Sequence, residues 1–230
     1  MRSTISRHEK AGATCLEIVD LIYYELKRPQ DAFILSKGHG AIAQYVVLES
    51  LGLMDLSQYC RGTLGGHPDI GPIVEASTGS LGHGLGMAVG MAYAEYLKGT
   101  DSKVYVVCSD GELQEGSTWE AVQMAANLKL DNLILFVDLN DYGGMDKISE
   151  HHPAVYPVVE KFNAFGWFSV ECDGHDEHDM RQELMPWERP FAMICRTTKG
   201  RGVPYMEADP QKWHYRSPTA QEYQQALAEL

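Results

Sequence analysis

The sequence predicts an α/β fold, a mostly parallel β-sheet with helices on both faces. Three observations carry this: short apolar runs that read continuously, helical-period stretches between them, and turn-rich segments where one gives way to the other. Residues 13–27 carry apolar side chains at helical spacing and stop before Pro29, as an amphipathic helix should. FILS at 33–36 is a short strand, SKGHG a glycine-rich turn, and AIAQYVVLESLG a helix from Ala41. Residues 60–86 hold glycine and proline at a density no element interior tolerates, so they predict a long loop, of a kind that is usually functional. GMAVGMAYAEYLKG then reads as a helix whose small residues permit close packing, and 103–110 as a buried strand. STWEAVQMAANLKL follows as a helix, with Ser117 or Thr118 as N-cap and Glu120 near the first turn, where the helix dipole favours it. NLILFVDLN at 132–140 is the next buried strand. The remainder predicts a helix over 153–165, a strand at 167–174, a shorter helix near 176–185 and a strand at 191–197. Residues 207–230 read as an arm and terminal helix, and a single domain over 1–230 is the simplest organisation.

With 230 residues the chain can build a core without disulfides or a structural metal. Its 44% apolar and 22% charged residues, without long runs of like charge, exclude a disordered tail or a coiled coil. Lys plus Arg number 19 against 32 Asp plus Glu, a net charge of −13 with no basic stripe, so nucleic acid is not the expected partner. MRSTISRHEK lacks the apolar core of a secretory signal and nothing later approaches a membrane span, so no membrane association is expected and the cytoplasm is the expected location. Five widely spaced cysteines (Cys15, Cys60, Cys108, Cys172, Cys195) without a Cys-x-x-Cys pair predict reduced core thiols.

Ligands of parallel sheets bind at the carboxyl ends of the strands. Asp110 follows KVYVVCS and Asn140 follows NLILFVDL, thirty residues on and one crossover away. Both are hard oxygen ligands, and with a backbone carbonyl near Tyr142 they would suit Mg²⁺, which keeps few protein ligands beside substrate phosphates. The chain lacks a Gly-x-x-x-x-Gly-Lys-[Ser/Thr] loop, so a polyanionic cofactor would need a divalent ion to relieve repulsion. Against this stands the fact that any parallel sheet carries some Asp or Asn at its strand ends. SKGHGAIA competes as a nicotinamide-binding loop, but no acidic residue ends a second strand about twenty residues later. Cys172, His175 and His178 suggest zinc but lack a fourth ligand, and read better as a core cysteine followed by exposed histidines.

Asp110-Gly111-Glu112 with Asn140 thirty residues later resembles the thiamine diphosphate motif. The wider likeness is to transketolase: FILSKGHG, GGHPD, EASTGSLGHGLGMAVGMAYAE, SDGELQEGSTWEA, VDLND, FGWFSVECDGHD and TTKGRGVPYME occur in that family's order. The resemblance runs over nearly the whole chain but covers only the amino-terminal part of a full-length transketolase. It implies the thiamine diphosphate-binding fold, here the diphosphate-side domain. It makes Asp110, Asn140 and the Tyr142 carbonyl ligands of Mg²⁺ or another divalent cation such as Ca²⁺. Leu81, Gly82, Gly111 and Glu112, with His39 and His214, become neighbours of the cofactor. His8, His39, His67 and His214 match histidines of the substrate channel, and Glu115 a glutamate between the two active sites of a dimer. Departures from the family pattern are Ser109 for the first glycine of Gly-Asp-Gly, SRHEK for Ser-Gly-His-x-Gly, His83 for a common Gln, and Asp141 after Asn140.

The resemblance further implies a separate partner chain carrying the pyrimidine-binding domain and the activating glutamate, assembled as an α2β2 heterotetramer that docks around the glycine-rich loop. The implied reaction moves a two-carbon ketol unit from a ketose donor to an aldose acceptor. A thiamine diphosphate-dependent synthase or decarboxylase acting on a 2-keto acid, and a non-catalytic partner-binding module, are the alternatives.

Overall fold

A computed structural model describes residues 13–229 apart from 61, 63, 145, 185, 186, 215 and 217. Five parallel strands form one sheet: β1 (Ala32–Leu35), β2 (Val104–Ser109), β3 (Leu133–Leu139), β4 (Phe168–Asp173) and β5 (Phe191–Arg196), in the order β1-β2-β3-β5-β4. The α/β expectation is met, and each expected strand is present to within a residue at either end. β2 and β3 are buried at every position because helices cover both faces, which is why their sequences do not alternate. β4, at the edge, mixes buried and exposed positions.

The helices divide between the faces. α1 (Leu16–Leu21), α2 (Ala41–Ser50) and α6 (Glu177–Gln182) pack with Phe33, Val107, Phe136 and Met193. α3 (Gly84–Lys98), α4 (Gly116–Asn127) and α5 (Val158–Ala164) pack with Ile34, Val106, Leu135 and Ile194 on the other face. Alternate residues of one strand thus serve two cores. Handedness decides the sides: α4 and α5 carry the chain one way across the sheet, whereas α6 returns it from β4 to β5. Right-handed crossovers then place α6 on the opposite face. Phe33, Phe136 and Phe191 are each at most 1% exposed, and burying such a ring stabilises the fold by roughly 1.5–3 kcal/mol.

Several boundaries differ from expectation for local reasons. The first helical segment is a 3₁₀ turn, α1 and a π turn in succession, ending at Leu26. The helix expected over 153–165 is a 3₁₀ turn followed by α5 from Val158, because Pro157 forces Tyr156 into an extended conformation between them. Neither Ser117 nor Thr118 caps α4; Glu115 occupies that position, and the two hydroxyls donate to the carbonyls of Gly82 (2.9 Å) and Glu112 (2.7 Å) instead. In the arm, α7 (Ala220–Glu229) packs through Ala226 with Val203, Met206 and Trp213, and Tyr205 donates to the Glu222 carbonyl at 2.9 Å. Among the described residues no helix is long and apolar enough to cross a membrane.

Candidate active site

The carboxyl ends of β1, β2, β3 and β5 open on one side of the sheet, where a cavity of about 220 Å³ lies. β1 delivers Ser36 and Lys37 and then a tight 3₁₀ turn, Gly38–Gly40, that carries His39. β2 delivers Asp110 at the start of a second 3₁₀ turn, β3 delivers Asn140, and the segment after β5 delivers Thr197 and Lys199. Beneath the cavity a buried ion pair joins Lys37 to Asp138, whose side chains are 1% and 0% exposed. The Asp138 carboxylate also accepts from Thr14 (2.5 Å) and Thr197. Four segments distant in sequence are tied at one buried charge. Burial opposes that charge, but Lys37 and the two hydroxyls outweigh it and hold the Asp138 carboxyl below its ordinary range. The Lys37 ammonium is reciprocally pushed up to about 12 despite burial.

Asp110 and Asn140 stand where the sequence placed them, at the ends of paired strands in which Ser109 is level with Asp138. Each Asp110 oxygen accepts one backbone N–H, from Gly111 (2.9 Å) and from Asp141 (2.6 Å). Burial, with Asp138 nearby, nevertheless pushes this carboxyl up to about 7. The Asn140 amide oxygen accepts from the Tyr142 N–H at 3.1 Å, and Asn140 and Tyr142 both line the cavity. A buried carboxylate short of positive charge beside an amide and a carbonyl is a fitting donor set for a hard divalent cation.

Three imidazoles, His39, His67 and His214, line this space. His39 and His214 have ring centroids 6.4 Å apart, and Lys199 contacts His214 Nδ1 at 2.5 Å. Burial and the neighbouring lysines pull His214 down to about 4 and hold His39 well below its usual value, so both imidazoles are neutral near pH 7. Lys199, 7% exposed, is lowered to about 8 by burial and by Lys37. Among the described residues no carboxylate lies within ion-pair distance of it. Asp110 and Asp138 act on it only from a longer range, and a buried ammonium opening on a cavity suits an anionic group such as a diphosphate. His67 and Leu81 come to the cavity from the glycine-rich loop, and the Tyr45 hydroxyl donates to the His67 carbonyl at 2.9 Å.

Of the residues expected at the site, His39, His67, Leu81, Gly111, Asn140, Tyr142 and His214 line the cavity. Asp110 lies directly behind Gly111, 1% exposed. Glu112 is placed otherwise: its buried carboxylate accepts from Ser36 (2.5 Å), the Gly82 N–H (3.1 Å) and the Ser109 N–H (3.0 Å), so it fastens the loop to two strand ends and does not line the cavity. Gly82, in a left-handed conformation at φ +78°, lines an adjoining groove. A Cβ there would sit 2.6 Å from Glu115 Cβ and Ser117 Oγ. Glu115 is exposed beside it. His8 lies outside the described residues.

His175 is not the exposed histidine expected. Its side chain is 7% exposed, its Nε2 accepts from the Thr198 N–H at 2.8 Å and its Nδ1 is 3.2 Å from Glu17. Cys172 is buried, with its sulfur 3.9 Å from that of Cys195, beyond a disulfide bond length. Lys37, Asp138, Thr14, Thr197 and Lys199 were not singled out from the sequence. Asp138 carried a signal, as the one charge inside LILFVDL, since an ionised group in a fully buried strand requires a partner.

The family model described as "Transketolase, thiamine diphosphate binding domain" matches residues 26–227. The chain belongs to the transketolase family. A protein of Phocaeicola vulgatus, named as one of the subunits of apulose-4-phosphate transketolase, is 35% identical to this transketolase chain, over 97% of the chain and 85% of its own length. A protein of the same name from Actinobacillus succinogenes is 37% identical, over 97% and 87%. Human transketolase is 34% identical over 91% of the chain, but over only 36% of its own length. The crystal structure of transketolase from Campylobacter jejuni superposes with a TM-score of 0.74 at 27% identity, covering 96% of the chain and 42% of that protein. The chain therefore spans less than half of these longer transketolases and most of the two apulose-4-phosphate relatives. The reading of the sequence as a transketolase's thiamine diphosphate-binding part is borne out.

Proposed function

We propose that this chain is the cofactor-side half of a two-component transketolase, binding thiamine diphosphate through a divalent cation, Mg²⁺ or Ca²⁺. One observation carries the reading: Asn140, Tyr142, Lys199 and two neutral histidines share one cavity, with the Asp110 carboxylate behind its wall. Asp110, the Asn140 amide oxygen and the Tyr142 carbonyl hold the cation, and Lys199 offsets diphosphate charge. The cofactor, once bound, supplies the carbanion chemistry. The chain places the sugar and moves protons: His39 and His214 accept a proton from a donor hydroxyl because both are neutral at working pH, and His67 closes the same channel.

The partner supplies the pyrimidine-binding domain, and an α2β2 assembly brings each cavity a second chain. The groove beside Gly82, about 640 Å³, carries exposed Met87 and Met124 and is the face offered for docking. Both bacterial relatives are named as one component of a multi-subunit transketolase, which supports a split enzyme and makes apulose 4-phosphate the first ketose donor to assay. A cytoplasmic location belongs to the same proposal.

Native mass spectrometry of the chain drawn gently from its own cells, with thiamine diphosphate and Mg²⁺ in the buffer, tests this. A second chain in equal copy number with cofactor mass in the complex is the expected result. A lone chain that retains no cofactor would overturn the proposal. In the assembled enzyme, Asp110→Ala is expected to abolish Mg²⁺-dependent cofactor retention in equilibrium dialysis.

A further inference from the structure

Asp141 stands between Asn140 and Tyr142 with a left-handed backbone, φ +67°. Aspartate tolerates that region better than most L-residues, but glycine enters it without steric cost. The aspartate side chain is therefore explained by what it touches. Its Oδ1 accepts from the Ser149 N–H (2.8 Å) and the Tyr156 hydroxyl (2.6 Å). Its Oδ2 accepts from the Ser149 hydroxyl (2.6 Å) and lies 3.9 Å from Lys147 Nζ. The carboxylate thus binds the far end of the segment 141–149 and the turn before Pro157.

The backbone of the same residue joins that end of the segment to Asp110. Its carbonyl accepts from the Ile148 N–H at 2.8 Å, and its N–H donates to Asp110 Oδ2 at 2.6 Å. Only two donors, one per oxygen, orient the Asp110 carboxylate among the described contacts, and Asp141 supplies one of them. The peptide that follows is held at both ends, its Asp141 carbonyl on the Ile148 N–H and its Tyr142 N–H on Asn140, and the Tyr142 carbonyl lies one peptide further on. All three oxygens assigned to the cation therefore depend on how residue 141 is held.

We infer that Asp141 is a positioning residue for the metal corner: its carboxylate clamps residue 141 to Ser149 and Tyr156, and so aims its own N–H at Asp110 and sets the Tyr142 carbonyl. The inference rests on the proposal that Asp110, Asn140 and Tyr142 hold the divalent cation. Asp141 itself never touches the cation. It acts through oxygens that do, as hydrogen-bond partners of metal ligands generally do.

Mn²⁺ is the probe, its free concentration read by electron paramagnetic resonance in the assembled enzyme with saturating thiamine diphosphate. Asp141→Gly keeps the backbone at ease and removes the clamp, and is expected to weaken Mn²⁺ binding by about tenfold or more. Asp141→Asn keeps an acceptor for Tyr156 and the Ser149 N–H, and is expected to recover most of that loss. Tyr156→Phe and Ser149→Ala loosen the clamp from its far side and are expected to fall between. Melting of the metal-free protein should move little across the series, which separates positioning from a general structural role. Mn²⁺ affinity within about twofold of the parent in Asp141→Gly would overturn the inference. Should that variant not fold, parental affinity in both Tyr156→Phe and Ser149→Ala would do the same. A parent enzyme that binds no Mn²⁺ overturns the metal assignment itself, a result distinct from failure of the clamp.

Discussion

Replacing Asp138 by Asn removes the negative charge opposite Lys37 while keeping the side chain's size. Lys37 is 1% exposed, so its ammonium cannot turn to water, and the carboxylate it loses also accepts from Thr14 and Thr197. Breaking a buried pair from one side costs about 3–5 kcal/mol. At this chain length each kcal/mol moves the melting temperature by about 2–4 °C, so a fall of roughly 6–20 °C is expected. Urea unfolding should show a lower midpoint with an unchanged slope, since the surface exposed on unfolding is the same. The double variant Lys37→Met with Asp138→Leu removes both charges, and is expected to recover most of the loss. The pH dependence has a definite sign. Asp138 is lowered in the fold, so its contribution is complete above the unfolded carboxyl value of about 3.9 and fades as pH falls through the lower folded value. Stability of Asp138→Asn within about 1 kcal/mol of the parent, or a double variant no more stable than the single one, would refute the reasoning.

Gly38→Ala puts a Cβ 2.7 Å from the Gly79 nitrogen and 2.8 Å from the Thr78 carbonyl carbon, both backbone, so a loss of about 1–3 kcal/mol is expected in thermal melting, and an unchanged melt would contradict that packing. Glu112→Gln takes the charged acceptor from all three donors and turns an amide N–H₂ toward at least one of them; urea unfolding should register about 1–3 kcal/mol. His214 is lowered to about 4 and His39 is lowered as well, so below about 6.5 the unfolded chain takes up protons the fold refuses. Stability should then fall from pH 6.5 toward 4, and His214→Gln should flatten that fall; identical profiles would remove His214 from the account. His39→Ala or His67→Ala should leave cofactor retention near the parent's and lower turnover by about 10²-fold or more. Turnover equal to the parent's would take them out of proton handling.

Legibility in the sequence followed the range of the interactions. KVYVVCS and NLILFVDL read as buried strands from their own residues, and both are strands buried at every position. Asp110 and Asn140 were readable because a strand's last residues mark its carboxyl end, and the pairing of β2 with β3 brings those ends together. The cap of α4 was not readable, because Ser117 and Thr118 answer to Gly82 and Glu112 and not to their own helix. Glu112 matched a motif that places it near cofactor, yet its acceptors are spent on Ser36, Gly82 and Ser109. Asp141 showed only as a departure from a pattern; its meaning lies with Ser149 and Tyr156, eight and fifteen residues on.

The sequence by itself determined the class of fold, the five strands, the placing of Asp110 and Asn140 at strand ends and the family, because these are written in local hydrophobic pattern and contiguous motif. Tertiary structure alone decided that β5 lies between β3 and β4, so that Lys199 and His214 reach the cavity, and that Lys37 meets Asp138 from 101 residues away. The physical reason is the same in each case. A buried charge is tolerable only beside its partner, and that partner belongs to a strand end brought near by the folding of the whole sheet.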